Sequence, residues 1–148
     1  MTLCKHRLAI AGPTSSRGWR EEERWPALKT RRIKQPGCAK IGQKVIIAGG
    51  YNNGRAHSST EVLDLVNRRI TSGGEMSTPR LYFHVSTFST FGGHEQLLAL
   101  AGWNGSSPVD TVEEWVGESS TWRPANSLTE RRHKFGAFTA PRQLVCPT

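Results

Sequence analysis

The chain has 148 residues and a net charge of +8. It lacks any apolar run approaching the roughly eighteen residues a membrane-spanning helix needs. Its three scattered cysteines, Cys4, Cys38 and Cys146, make neither a disulfide framework nor a metal-ligand spacing. Reduced thiols are therefore expected, and with them a cytoplasmic location.

Residues 1–24 read as a basic leader. Residues 1–44 hold eleven Lys or Arg against three Glu, whereas residues 45–148 hold nine of each sign, so the leading segment carries the whole excess. Arg17, Arg20, Arg24, Lys29, Arg31 and Arg32 form an arm of the kind that meets nucleic acid or an acidic membrane surface. Glu21-Glu22-Glu23 and Pro13, Pro26 and Pro36 interrupt it. No zinc-finger or RNA-recognition signature accompanies it, so the expectation is a solvated leader with no specific nucleic-acid role. Leu8-Ala9-Ile10-Ala11 is too short for a signal peptide.

Beyond the leader the chain reads as short strands. Val45-Ile46-Ile47-Ala48, closed by Gly49-Gly50, is an apolar run too short for three helical turns and suits a strand buried on both faces. A polar loop, Asn52 to Ser58, follows, then the alternating Thr60 to Leu65 and an outer strand near Arg68 to Thr71. Tyr82 to Phe88, aromatic and β-branched, opens a second series. It continues with Leu97 to Ala101 and Gly102, a loop from Asn104 to Pro108, Thr111 to Val116, and Ser120 to Arg123. No stretch sustains an apolar stripe at helical spacing, so the predicted class is all-β.

The second series repeats the first. A step of 52 positions carries Gly50 to Gly102, Tyr51 to Trp103, Glu61 to Glu113, Ile70 to Trp122, Met76 to Leu128, Arg80 to Arg132 and Phe83 to Phe135. A partial copy lies 48 positions earlier, where Leu28 precedes Met76 and Arg32 precedes Arg80. Self-similarity at this period marks a repeat array.

The pattern resembles the kelch repeat, whose unit is a four-stranded blade of a β-propeller. It rests on the glycines Gly49, Gly50 and Gly102, the aromatics Tyr51 and Trp103 after them, Glu61 and Glu113, the outer-strand Trp122, and the turns ending in Arg80 and Arg132. The resemblance covers residues 25–148 and implies two blades, about 33–76 and 82–128, with partial blades at both ends. It also implies a Trp packed between blades and a buried Arg bridging carbonyls of the next one. A propeller closes with roughly four to eight blades. Two leave three expectations: a fragment of a longer product, a truncated non-functional product, or a protomer that completes its ring by oligomerising.

In kelch proteins the loops at one end of the blades recognise protein partners. Carried onto this sequence, that face comprises Tyr51, Asn52, Asn53, Arg55, Trp103 and Asn104, together with Lys34, Tyr82 and Lys134 two positions past each repeat Arg. Lys34 and Lys134 favour an acidic peptide motif. The resemblance further implies the substrate-recognition part of a cullin ubiquitin-ligase adaptor or an actin-associated protein, either through sequence outside this chain.

The alternative is a piece of a propeller enzyme, a copper oxidase or a sugar-acting enzyme. Such an enzyme needs convergent histidines, tyrosines or acids, and His6, His57, His84, His94 and His133 form no metal-binding pattern. Glu113 and Glu114, neighbours on a strand, point to opposite faces and cannot share a substrate. The expectation is no enzyme, no metal and no cofactor.

Overall fold

A computed structural model describes residues 26–30, 32, 35–89 and 93–137; the leader and Lys34 lie outside these residues. The described chain forms β1 (Gly37–Ile41), β2 (Lys44–Ala48), β3 (Tyr51–Asn52), β4 (Arg55–Ala56), β5 (Thr60–Asp64), β6 (Arg69–Ser72), β7 (His84–Ser89), β8 (Glu95–Trp103), β9 (Pro108–Val116) and β10 (Thr121–Ala125). The fold is all-β, as expected. The strands make two antiparallel four-stranded meanders, β1-β2-β5-β6 and β7-β8-β9-β10, of the form propeller blades take.

Strand chemistry explains which faces are covered. In β2 both faces are buried, with Ile46 and Ile47 at 0% and 1% exposure. In β8 only one face is fully buried: Leu97 and Ala99 are at 0% exposure, while Leu98 and Leu100 are half-buried. Alternation puts these pairs on opposite sides of the sheet, and only the side toward the first sheet is covered. The core lies between the sheets. Ile46, Ala48, Val62 and Met76 meet Val85, Leu97, Ala99 and Trp115, with Phe83 and Trp122 packed against them. Each fully buried side chain of the size of Ile46 or Leu97 contributes about 1.5–3 kcal/mol.

Trp122 lies at the seam between the two sheets. Its ring meets Trp115 edge-on, with centroids 5.2 Å apart, and its indole N–H donates to Thr60 Oγ1 of the first sheet at 2.9 Å. An apolar body with a satisfied polar tip suits a seam between two sheets.

The Asn52–Ser58 segment is more ordered than the polar loop the sequence implied. Tyr51 pairs with Ala56 and Asn52 with Arg55, across an Asn53-Gly54 turn whose residues have φ of 49° and 80°. Positive φ at both central positions is what a two-residue hairpin requires, and Asn-Gly supplies it cheaply. The same ribbon recurs 52 positions on, where Trp103 pairs with Pro108, but there it is continuous with β8 and β9. A bulge between Leu100 and Gly102 marks the junction. Ala101 (φ 50°) occupies there the left-handed conformation that Gly49 (φ 63°) takes in the first unit.

Candidate protein-interaction face

The turn between the two sheets is locked by Arg80. Its side chain is fully buried, with Nη1 donating to the Ala101 and Thr111 carbonyls at 2.7 and 2.8 Å. Nη2 donates to Thr111 Oγ1 and to Glu113 Oε1, both at 2.8 Å. Glu113 also accepts from the Ser77 and Thr78 amides at 2.7 and 3.2 Å. Burial pulls the Arg80 pKa below its usual value, and the hydrogen bond and charge of Glu113 oppose that shift. A buried ion pair persists where, as here, further hydrogen bonds support both groups, although Arg80 Nε is left without a partner. Glu114, one residue on, faces the other way and pairs with Arg123 at 2.8 Å.

Backbone bonds fix the same turn against the first sheet. The Gly50 amide donates to Arg80 O, the Arg80 amide to His57 O, and the Met76 amide to Ser58 O. Moving each residue 52 positions on gives Gly102 to Arg132 O, Arg132 to Val109 O, and Leu128 to Asp110 O, all present. A Cβ on Gly49 would stand 2.5 Å from the Arg80 carbonyl oxygen, which explains a glycine at that close approach.

The loop tips carried by these locks enclose a shallow cavity of about 240 Å³. Four of the residues expected at the partner face line it: Tyr51, Tyr82, Trp103 and Lys134. Leu81, Gly105 and His133 complete the wall. Leu81 and Trp103 exchange two backbone bonds, of 2.9 and 2.8 Å, and the Lys134 amide donates to Tyr82 O at 2.9 Å. Tyr82 and Lys134 share a φ of 54°. Lys134 Nζ stands 4.8 Å from the centre of the Tyr82 ring, and His133 meets Trp103 edge-on with centroids 5.3 Å apart. Among the described residues no acid lines the cavity. It is an aromatic basin with a cation at its edge.

The remaining expected residues sit outside that basin. Asn53 and Arg55 are exposed at the tip of the first ribbon. Asn52 and Asn104 are half-buried, and their side-chain oxygens serve their own loops: Asn52 accepts from the Asn53 amide, Asn104 from the Ser106 and Ser107 amides. Their sequence signal was a loop signal, and closing the loop is what they do. Leu81 and His133 were not singled out as contact residues. Each directly follows a repeat Arg, yet their convergence depends on pairing between units that spacing alone does not reveal. His57, behind the first ribbon, has a pKa lowered chiefly by burial and further by Arg32 and Arg55. Among the described residues no cluster of three or more His, Cys, Asp or Glu could hold a metal ion.

Residues 32–77 match the family model of the kelch motif. This span runs from Arg32 to the turn leading into Arg80 and contains the whole first sheet. Over this span the repeat is similar to the kelch motif. Over 109 residues, 74% of its length, the chain is 24% identical to the kelch repeat-containing protein kel-10 of Caenorhabditis elegans. Over the same length it is 23% identical to a kelch repeat and BTB domain-containing protein of that organism. The match spans only 19% of either relative. In kelch terms the glycine pair, the Glu, the outer-strand Trp and the turn Arg all belong to the joint between successive sheets, and the cavity lies among the loops that joint presents.

Proposed function

We propose that the chain is a non-catalytic protein-interaction module whose loop face binds an acidic peptide motif. The observation that carries this reading is the basin of Tyr51, Tyr82 and Trp103 with Lys134 at its edge and, among the described residues, no acid in its wall. Aromatic rings give large contact area at low entropic cost, and a cation at the rim favours a carboxylate over other polar groups. Asn53 and Arg55 extend the contact surface at the ribbon tip, Asn52 and Asn104 shape the loops, and Lys34 supplies a second cation of the same repeat position.

The specific forms of this reading are the substrate-recognition part of a cullin ubiquitin-ligase adaptor, in line with a relative whose name includes a BTB domain, and an actin-associated protein. Both place the chain in the cytoplasm. The absence of a helix long and apolar enough to cross a membrane among the described residues accords with that placement.

The test is fluorescence anisotropy with carboxylate-rich peptides that carry one aromatic or aliphatic residue. Charge reversal at both Lys34 and Lys134 should weaken binding about tenfold or more, the effect of about 1.4 kcal/mol. Unchanged affinity after that reversal refutes the acidic-motif reading.

A further inference from the structure

The chain carries three Arg-tipped turns but only two grooves, among the described residues, that receive one. The Glu113 groove holds Arg80. The Glu61 groove holds the segment before β1: the Thr30 amide donates to Glu61 Oε1 at 2.7 Å, and Arg32 bonds Gly49 O and Ser59 Oγ. The third turn, ending in Arg132, is shaped by the same backbone bonds as the second, yet its guanidinium is 48% exposed and, among the described residues, pairs with the neighbouring Glu130 alone.

Two observations join the third turn to the first groove. Leu28-Lys29-Thr30-Arg31-Arg32-Ile33-Lys34 and Leu128-Thr129-Glu130-Arg131-Arg132-His133-Lys134 are identical at four of seven positions, 100 residues apart. Each therefore presents Leu, two adjacent Arg and Lys at the same places. The Glu61 groove is also incompletely filled. Glu61 is 2% exposed, and its Oε2 has no hydrogen-bond partner, whereas Glu113 receives three donors. A buried carboxylate oxygen without a donor is costly, and a guanidinium placed as Arg80 is on Glu113 would satisfy it.

We infer that the Leu128–Lys134 turn of one copy docks in the Glu61 groove of a second copy, replacing that copy's own Thr30 and Arg32 there. Arg132 then leaves Glu130 for Glu61, and the half-buried Leu98 and Leu100 face of the second sheet comes to lie against the neighbour's first sheet. The contact is head-to-tail, because turn and groove are different surfaces, so it builds a ring when its rotation closes. The resident segment competes at an effective concentration of about millimolar, so exchange belongs to high protein concentration.

Light scattering after size exclusion, across a concentration series, tests this on the full chain. The wild-type mass should rise toward a whole multiple of the monomer, while Arg132→Glu, altered only at an exposed side chain, stays single with an unchanged circular dichroism spectrum. Arg32→Ala, which weakens the resident segment, should associate at about tenfold lower concentration. A labelled peptide of residues 126–136 should bind the Arg132→Glu chain saturably and lose binding when its own Arg132 position is Glu. Association by Arg132→Glu equal to wild type overturns the inference. So does a single-chain mass for both wild type and Arg32→Ala at every concentration, which would leave a further repeat of a longer polypeptide as the occupant of the Arg132 turn.

Discussion

The joints at Glu113 and Glu61 share a blueprint and differ in completeness. At Glu113 one guanidinium gathers two carbonyls, a hydroxyl and the carboxylate, and two amides finish the job. At Glu61 a single described amide reaches the carboxylate, and Arg32 directs its guanidinium to Gly49 and Ser59. The two units also differ in loop length. β1 and β2 are joined by the two residues Gly42 and Gln43, whereas β7 and β8 are separated by positions 90–94. The first unit is shorter, which is why its Arg recurs after 48 positions and the next after 52. A repeat motif can therefore be intact in residue type while its joint differs in geometry, and stability should follow the geometry.

The largest effect separates the two arginines. Arg80→Ala leaves Glu113 buried and unpaired and should cost about 3–5 kcal/mol, read as a lowered urea midpoint or loss of a cooperative transition. Arg32→Ala should cost about 1–2 kcal/mol, because its described acceptors, Gly49 O and Ser59 Oγ, are neutral. The carboxylates sharpen the same contrast: Glu113→Gln should cost about 2–3 kcal/mol and Glu61→Gln about 1 kcal/mol or less, since Oε2 of Glu61 gives up no bond. Equal costs at the two sites would break the comparison.

A smaller test concerns the glycine step. Gly49→Ala would push a Cβ against Arg80 O and should destabilise by about 2 kcal/mol. Ala101→Gly should stabilise by about 0.5 kcal/mol, because relief of a left-handed alanine, about 1–2 kcal/mol, exceeds the added chain entropy of glycine.

The smallest effect is a pH dependence. Burial and the positive charges of Arg32 and Arg55 hold the folded-state pKa of His57 below its unfolded value of about 6.5. Below that value the unfolded chain takes up the proton first. Stability contributed by neutral His57 is present above pH ~6.5 and declines as pH falls toward the folded pKa. The decline should disappear in His57→Gln, followed by thermal melts from pH 7.5 to 5.

The sequence exposed the joints better than the face they present. Arg80, Glu113 and Trp122 could be assigned because a buried cation, its acid and an interleaved indole recur at fixed offsets within the unit. The Asn53-Gly54 hairpin carries a plain turn signal, but only two residues flank it on each side, too few to show a strand pattern. The basin was half legible. Tyr51, Trp103, Tyr82 and Lys134 follow from repeat position, but Leu81 and His133 join them through bonds between units, such as Leu81 with Trp103, that no spacing within one unit encodes. The unequal filling of the Glu61 and Glu113 grooves was hidden altogether, because both copies place a Glu eleven positions after the glycine.

The most direct test of the interaction reading is to pan a random dodecapeptide library on the immobilised chain and titrate the enriched peptides against Trp103→Ala and Lys134→Glu. Val66→Ser, at an exposed site remote from the basin lining, serves as control. The account predicts peptides rich in Asp or Glu beside one apolar residue, bound about tenfold more weakly by both loop variants and equally by the control. Enriched peptides that lack acids, or that bind all four chains alike, would contradict it.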